Sequence, residues 1–179
     1  MPSLESILDN LGRAQTALLR AADAVPAEQW NARPGQGRWS AGELVAHLIT
    51  VERSILAAAD EVLQKPAKPV PLLKRFHVPM LLVESRLIRR KSPVAQDPGI
   101  TGAKEDLLAR LRDVRERTLA FIEETRRRDL SPYRWKHRFL GMLSLYEWLQ
   151  MIASHEVRHT KQMREIAANL PKVVVSSQK

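Results

Sequence analysis

Cysteine is missing from the sequence of 179 residues. Its absence excludes disulfide bonds, thiolate zinc sites, iron–sulfur clusters and a cysteine nucleophile. Long apolar runs are missing too, and no stretch approaches the roughly 20 residues that a membrane helix needs. An N-terminal export signal is not expected, because Glu5 and Asp9 interrupt the first apolar residues. These absences predict a cytoplasmic protein that does not cross a membrane.

Acidic residues are fewer than basic ones, 20 against 29, which gives a formal net charge of +9. This excess favours an anionic partner, such as a carboxylated or phosphorylated small molecule, an acidic protein or a nucleic acid. The basic residues form short clusters near predicted helix ends, where solvated cations complement the helix dipole. The sequence has no helix-turn-helix signature and no aromatic residues interleaved with basic ones. A small anionic substrate is therefore favoured over nucleic acid.

Apolar residues recur at helical spacing in four segments, whereas strand patterns are weak throughout. The helical segments cover residues 4–25, 40–63, 103–128 and 144–169. The second and fourth segments begin with the S-x-x-E pattern of a capping box, formed by Ser40 with Glu43 and by Ser144 with Glu147. Only the three valines at 173–175 are β-like, so we predict an all-α fold.

The connection between the second and third helices is long and rich in proline. It could include a short extra helix over residues 80–90. A connection of this length can cross the whole bundle, so the second and third helices can run parallel. We therefore predict one four-helix-bundle domain over residues 1–170, followed by a short polar tail over residues 171–179.

The inward face of the fourth helix changes from apolar to polar along its length. Its residues follow one another at steps of three and four: Leu145, Trp148, Ile152, His155, His159, Gln162 and Ile166. A buried imidazole or carboxamide without a partner costs about 1–3 kcal/mol. His155 and His159 stand at positions i and i+4, so both imidazoles can bind one metal ion from the same helical face.

The second helix supplies a third histidine. His47 lies between Leu44 and Leu48 on the apolar face of that helix. At about 1.5 Å per residue, His47 and His159 lie at similar heights if the two helices are antiparallel. The sequence thus predicts a divalent transition-metal site at His47, His155 and His159, and imidazole suits zinc, nickel and iron alike. The alternative is a set of core histidines that hydrogen-bond to helix carbonyls or buried acids.

Residues 155–159 also match H-E-x-x-H, the zinc-protease motif in which the glutamate is the general base. Glu156 is therefore the candidate catalytic residue. The longer metzincin pattern would need glycine and histidine where this chain has Gln162 and Glu165. A protease of this type also lines its cleft with a strand, which the sequence does not predict. Glu156 lies one step off the inward seam, either at the edge of the metal site or in a structural role.

A few further residues could take part in the site. His137 precedes the fourth helix and could be a fourth ligand, a proton shuttle or a surface histidine. Arg158 could pair with Glu156 or with a substrate anion. Arg38 could hold a substrate carboxylate or cover the first turn of the second helix. His77, in the proline-rich connection, is a weaker candidate.

Three stretches of the sequence resemble the DinB/YfiT-like superfamily of metal-dependent proteins: residues 37–48, residues 143–148, and residues 155–159 together with Gln162. The resemblance extends from Leu4 to about Ala168. It implies a four-helix bundle of up-down-down-up topology, homodimers, and a metal held by water and three histidines, here His47, His155 and His159. Some members of the superfamily are S-transferases or isomerases that use low-molecular-weight thiols.

These features predict a metal-dependent enzyme of the thiol S-transferase or hydrolase type, in which the ion offers an open position to a thiol or to water. The expected partners are a second copy of the chain and an anionic small molecule or low-molecular-weight thiol. The alternative is a basic nucleic-acid-binding or stress-response scaffold protein whose metal site is structural or vestigial.

Overall fold

The computed structural model describes residues 3–67 and 102–170. These residues form four α-helices and a small antiparallel sheet, with the following bounds: α1 Leu4–Asp23, α2 Ala41–Leu63, α3 Lys104–Thr125, β1 Arg134–His137, β2 Gly141–Ser144 and α4 Leu145–Asn169. The predicted all-α fold class is confirmed, because the helices make up most of the described chain and the sheet has only two short strands.

Both predicted capping boxes are present, at the starts of the two helices that carry the candidate histidines. The Ser40 side chain accepts a hydrogen bond from the Glu43 amide at 3.1 Å, and Glu43 accepts one from the Ser40 amide at 2.8 Å. Ser144 and Glu147 form the same reciprocal pair at the start of α4. Each box satisfies amide groups that have no partner within the helix, so the N-termini of α2 and α4 are fixed.

The core consists of two apolar clusters, one toward each end of the bundle. The first cluster joins the second half of α1 and of α4 to the first half of α2 and of α3, through residues such as Leu18, Leu44, Leu111 and Met163. The second cluster joins the opposite halves, through residues such as Leu11, Ile55, Ile122 and Ile152. This grouping is consistent with the expected up-down-down-up course.

Buried polar side chains lie near the middle of the bundle, between the two apolar clusters. We call this group the polar layer, and it comprises His47, Glu52, Arg115, Thr118, Glu156 and His159. Each of these residues is less than a tenth exposed. Burying so many polar groups is unfavourable unless they bind one another or a ligand, so this layer is where a functional site is expected.

The prediction that strands are absent before residue 173 is wrong. The strands β1 and β2 pair in register from Arg134 opposite Ser144 to His137 opposite Gly141. Gly141 has a φ of 78°, a conformation that suits glycine. The hairpin is fixed by packing more than by alternation, because Trp135 of β1 stacks on Trp148 of α4 with ring centroids 4.7 Å apart. The missing strand is therefore no argument against the zinc-protease motif.

Several predictions fall on parts of the chain outside the described residues. They are the extra helix over residues 80–90, the β-like valines at 173–175, His77 and the tail over residues 171–179. The domain bounds 1–170 stay a prediction. Of the helices that are described, none combines the length and the apolar character required to cross a bilayer.

Candidate metal centre

The three predicted histidines come together at the polar layer, to which His47 and His159 belong and beside which His155 lies half-buried. The ring centroids of His155 and His159 are 4.4 Å apart, and those of His47 lie 5.2 Å from His155 and 5.1 Å from His159. One nitrogen of each ring lies within 4.8 Å of those of the other two. Among the described residues, the group consists of these three histidines and includes no carboxylate. The three histidines, which the sequence places on two helices, therefore lie close together in the structure.

The geometry of the group fits a divalent metal. Two nitrogen ligands of a tetrahedral zinc ion, each at about 2.0–2.1 Å, stand about 3.3–3.4 Å apart. The Nε2 atoms of His155 and His159 are 3.1 Å apart. The Nδ1 atom of His47 is buried and has no hydrogen-bond partner among the described residues. The group could thus hold a metal ion after small side-chain movements.

Burial keeps the imidazoles neutral, which is the form that binds metals. Burial lowers the pKa of His47 to about 4. It also lowers the pKa of His155 to about 3, with smaller contributions from the charges of His47, Arg158 and His137. The pKa of His159 lies well below its usual value, again mainly because of burial. Each ring therefore offers a nitrogen lone pair at neutral pH.

Two side chains orient and cover the histidines. Gln162, one turn beyond His159, places its Oε1 atom 3.1 Å from His159 Nδ1. An imidazole that donates from Nδ1 has its lone pair on Nε2, the atom that faces His155. Trp39, just before α2, stacks nearly parallel on His159 and lies 4.9 Å from the His47 ring. The predicted inward position of Gln162 is thus explained by its contact with His159.

Comparison with known proteins assigns these features to a family. The model of the DinB superfamily matches residues 10–163, a range that contains all three histidines. The chain belongs to the DinB superfamily. It is also similar to the uncharacterized protein YuaE of Bacillus subtilis (strain 168), with 28% identity over 142 residues that cover 78% of this chain and 83% of YuaE. The resemblance noted in the sequence is confirmed.

In this member of the DinB superfamily, Glu156 belongs to a buried ion cluster beside the histidines. Glu156 Oε2 accepts a hydrogen bond from Arg115 Nη2 at 3.0 Å. The guanidinium also binds both oxygens of Glu52, at 2.9 and 3.1 Å, and donates to the carbonyl of Leu11 at 2.8 Å. Thr118 donates to Glu52 at 2.6 Å. The cluster links all four helices of the bundle.

The charges of this cluster shift one another's pKa values. Burial raises the pKa of Glu156 to about 7, against the opposing attraction of Arg115. Burial also disfavours the charge of Arg115, but its hydrogen bonds and ion pairs with Glu52 and Glu156 outweigh that penalty and raise its pKa. The guanidinium therefore stays protonated and anchors both carboxyl groups.

Sequence reasoning missed Glu52, Arg115 and Thr118 as members of the site. A signal for them exists, because each occupies an inward position at helical spacing. Glu52 follows Leu48 by four residues, and Arg115 follows Leu111 by four. A charged residue on an apolar face is a sign of a buried partner, yet the identity of that partner is set by another helix.

A small, partly open cavity lies between the ion cluster and His155. Its volume is about 10 Å³, and it is lined by Leu48, Val51, Glu52, Arg115, Ile152, His155 and Glu156. A space of this size is roughly what one water molecule needs. The cavity is too small for a substrate.

The remaining candidates lie around the centre and outside the three-histidine group. His137 packs 5.2 Å from Trp148, and its Nδ1 atom accepts hydrogen bonds from the amides of Phe139 and Leu140, both at 3.1 Å. Arg158 is close enough for its charge to lower the pKa of His155 and His159. Arg38 forms an ion pair with Glu165 at 3.7 Å.

Proposed function

We propose that this protein is a metal-dependent enzyme that binds one divalent transition metal, zinc, nickel or iron, through His47, His155 and His159. The observation that carries the proposal is the convergence of three neutral imidazoles, two buried and one half-buried, whose ligand atoms lie within 4.8 Å of one another. Three neutral nitrogen ligands leave a coordination position open, as in catalytic sites and unlike closed structural ones. Membership of the DinB superfamily supports the same reading.

The reaction we propose is transfer or hydrolysis with an external nucleophile. A metal in this site would supply Lewis-acid chemistry that lowers the pKa of a coordinated thiol or water. The chain has no cysteine to act as its own nucleophile. We therefore favour thiol S-transfer with a low-molecular-weight thiol, and hydrolysis is the second member of the same class.

The residues around the site suit an anionic substrate. Arg158 places its charge near two of the histidines, and the net charge of the chain is +9. Arginine holds carboxylates through paired hydrogen bonds, so Arg158 is our candidate for binding a substrate carboxylate. The ion pair of Arg38 with Glu165 supports the structural alternative for Arg38.

Glu156 has a less direct part in this proposal. Its general-base role stays a prediction. The ion pair with Arg115 holds one carboxylate oxygen away from any substrate, which favours a role that acts through His155. We further propose that the protein is a cytoplasmic homodimer, following the family resemblance.

The test begins with metal-loaded protein. Low-molecular-weight thiols are added and their binding is followed by calorimetry, with transfer to a generic electrophile as a second readout. Thiol binding at millimolar concentration, lost in His47→Ala, is the expected result. Hydrolysis of a simple ester that depends on His47, without thiol binding, would replace the transferase by a hydrolase. Inactivity in both assays would contradict the proposed enzyme and favour a scaffold role.

A further inference from the structure

Two of the three metal-site rings, those of His47 and His155, have incomplete hydrogen bonds with the described residues. A neutral imidazole that binds a metal through one nitrogen keeps a proton on the other, and that N–H normally donates to an acceptor. His159 satisfies this requirement through Gln162. In His155, Nε2 faces Nε2 of His159 at 3.1 Å, so a metal bound at Nε2 leaves the proton on Nδ1. No described residue accepts a hydrogen bond from it.

The neighbouring carboxylate, Glu156, lacks a hydrogen-bond donor, whereas His155 lacks an acceptor. Glu156 is 2% exposed, and its Oε2 atom accepts from Arg115. Its Oε1 atom is buried and accepts no hydrogen bond from any described residue. A buried carboxylate oxygen needs a donor. The unpaired donor and the unpaired acceptor thus lie on adjacent residues of α4.

The two unpaired groups share a cavity of the size of one water molecule. His155 and Glu156 both line the cavity of about 10 Å³ between α2, α3 and α4. The donor and the acceptor do not contact each other directly. A water molecule between them can accept a hydrogen bond from one and donate a hydrogen bond to the other. The space is about that of one water molecule, and Leu48, Val51 and Ile152 form the apolar part of its lining.

We propose that one ordered water molecule occupies this cavity, accepts a hydrogen bond from His155 Nδ1 and donates one to Glu156 Oε1. The proposal rests on the metal-binding function inferred above. It makes Glu156 a positioning residue for the metal ligand His155, and Arg115 the residue that holds Glu156. It also gives His155 the counterpart of the contact that Gln162 provides for His159.

The consequence is a defined orientation of the His155 ring. A partner of this kind fixes which nitrogen carries the proton and raises the basicity of the other, and its loss weakens metal binding roughly 10–100-fold. Arg115 is itself held by Glu52 and the carbonyl of Leu11, so the Glu156 carboxylate cannot turn away from the cavity without breaking its hydrogen bond with Arg115. The ion cluster thus serves the metal site without touching the metal.

The first test is a high-resolution crystal structure of the zinc-loaded protein. Density for one water molecule within hydrogen-bond distance of both His155 Nδ1 and Glu156 Oε1 is expected. An empty cavity, or direct contact between the two side chains, would overturn the proposal. Failure of the parent protein to take up zinc would instead count against the proposed function, whereas zinc-loaded protein without the water would count against the bridge alone.

The second test measures zinc affinity in variants by competition with a chromophoric chelator. Val51→Ile adds a methyl group to the cavity wall and leaves every polar group in place. We expect it to displace the water and weaken zinc binding roughly tenfold. Val62→Ile, on the same helix but outside the cavity lining, is the matched control. Equal affinity in the two variants and the parent protein would contradict the water bridge.

A carboxylate variant separates positioning from the charge of the cluster. Glu156→Gln is expected to weaken zinc binding and to speed solvent exchange of the His155 Nδ1 proton, observed by NMR of the loaded protein. Glu52→Gln removes a carboxylate charge from the same cluster without removing either of the two proposed partners of the water. If both variants weaken binding equally and leave that proton unchanged, Glu156 acts only through charge or stability, and the bridge is wrong.

Discussion

Arg115 and Glu156 form an ion pair inside the bundle, with Nη2 3.0 Å from Oε2 and both side chains at most 3% exposed. Water cannot supply the positive charge of a guanidinium in this position. Removal of the Arg115 side chain therefore leaves two buried carboxylates without their cation. The pair therefore couples the stability of the fold to the composition of the polar layer.

Arg115→Leu should destabilise the protein by about 3–5 kcal/mol, the usual cost of breaking one side of a buried ion pair. Urea unfolding followed by circular dichroism measures the change. Arg117→Leu, two residues away on the exposed face of the same helix, should change stability by less than about 0.5 kcal/mol. A similar small effect in both variants would show that the ion pair does not stabilise the fold.

His47→Ala, His155→Ala and His159→Ala should each abolish or strongly weaken metal binding, because three ligands define the site. Elemental mass spectrometry of purified protein should find close to one equivalent of transition metal in the parent chain. His137→Ala is the control, since the His137 side chain lies outside the three-histidine group. Full occupancy in all three histidine variants would refute the assignment.

Chelation should lower the melting temperature of metal-loaded protein, because the metal binds the folded state in preference to the unfolded one. At a free metal concentration of about 100 times Kd, the stabilisation is about 2.7 kcal/mol. Thermal unfolding with and without a strong chelator measures the difference, and His47→Ala should be insensitive to the chelator. An unchanged melting curve of verified metal-loaded parent protein would favour hydrogen-bonded core histidines.

Acid should destabilise the metal-free protein. The pKa of His47 is lowered to about 4 and that of His155 to about 3 in the folded state, whereas an unfolded histidine titrates near 6.5. The unfolded chain thus binds more protons below pH 6.5. The stability that these groups contribute is complete above that pH and declines as pH falls toward 4.

Glu156 opposes this trend over part of the range. Its folded pKa is raised to about 7, so the folded state binds its proton more tightly than the unfolded state does between about pH 4.5 and 7. Three histidines outweigh one carboxyl group, so net stability should still fall with acid. His47→Leu should flatten the profile and Glu156→Gln should steepen it. A melting temperature that rises from pH 6.5 to pH 4 would contradict the burial of neutral histidines.

Gln162→Leu should weaken metal binding roughly 10–100-fold, because His159 loses the acceptor that fixes its protonated nitrogen. Arg164→Leu, on the exposed face of α4, is the control. The comparison uses the same competition titration for both variants. Equal affinities would show that Gln162 only fills space beside the ring.

Local patterns explain what the sequence could predict. The capping boxes at Ser40 and Ser144 and the helical spacing of His155 and His159 depend on neighbours within a few residues. The convergence of His47 on that pair needed only the height of each residue along its helix. These features were therefore accessible without a structure.

The missed features depend on partners that are distant in the sequence. The hairpin is held by the stacking of Trp135 on Trp148, a contact with another element. Arg115 pairs with Glu52 and Glu156, which lie 63 and 41 residues away. A charged residue at an inward position signals a buried pair, but the sequence does not say which helix carries the partner.

The separation of the core into two apolar clusters affects how the helices align with one another along the bundle. Leucine-rich stripes can pair in several registers, since one turn of sliding exchanges one aliphatic side chain for another. Sliding α3 by one turn would move the Arg115 guanidinium against an aliphatic cluster. The carboxyl groups of Glu52 and Glu156 would then be buried without a cation. The polar layer thus favours one register of the helices over the others. We therefore expect both ends of the bundle to tolerate other aliphatic residues as long as the polar layer keeps the three histidines opposite one another.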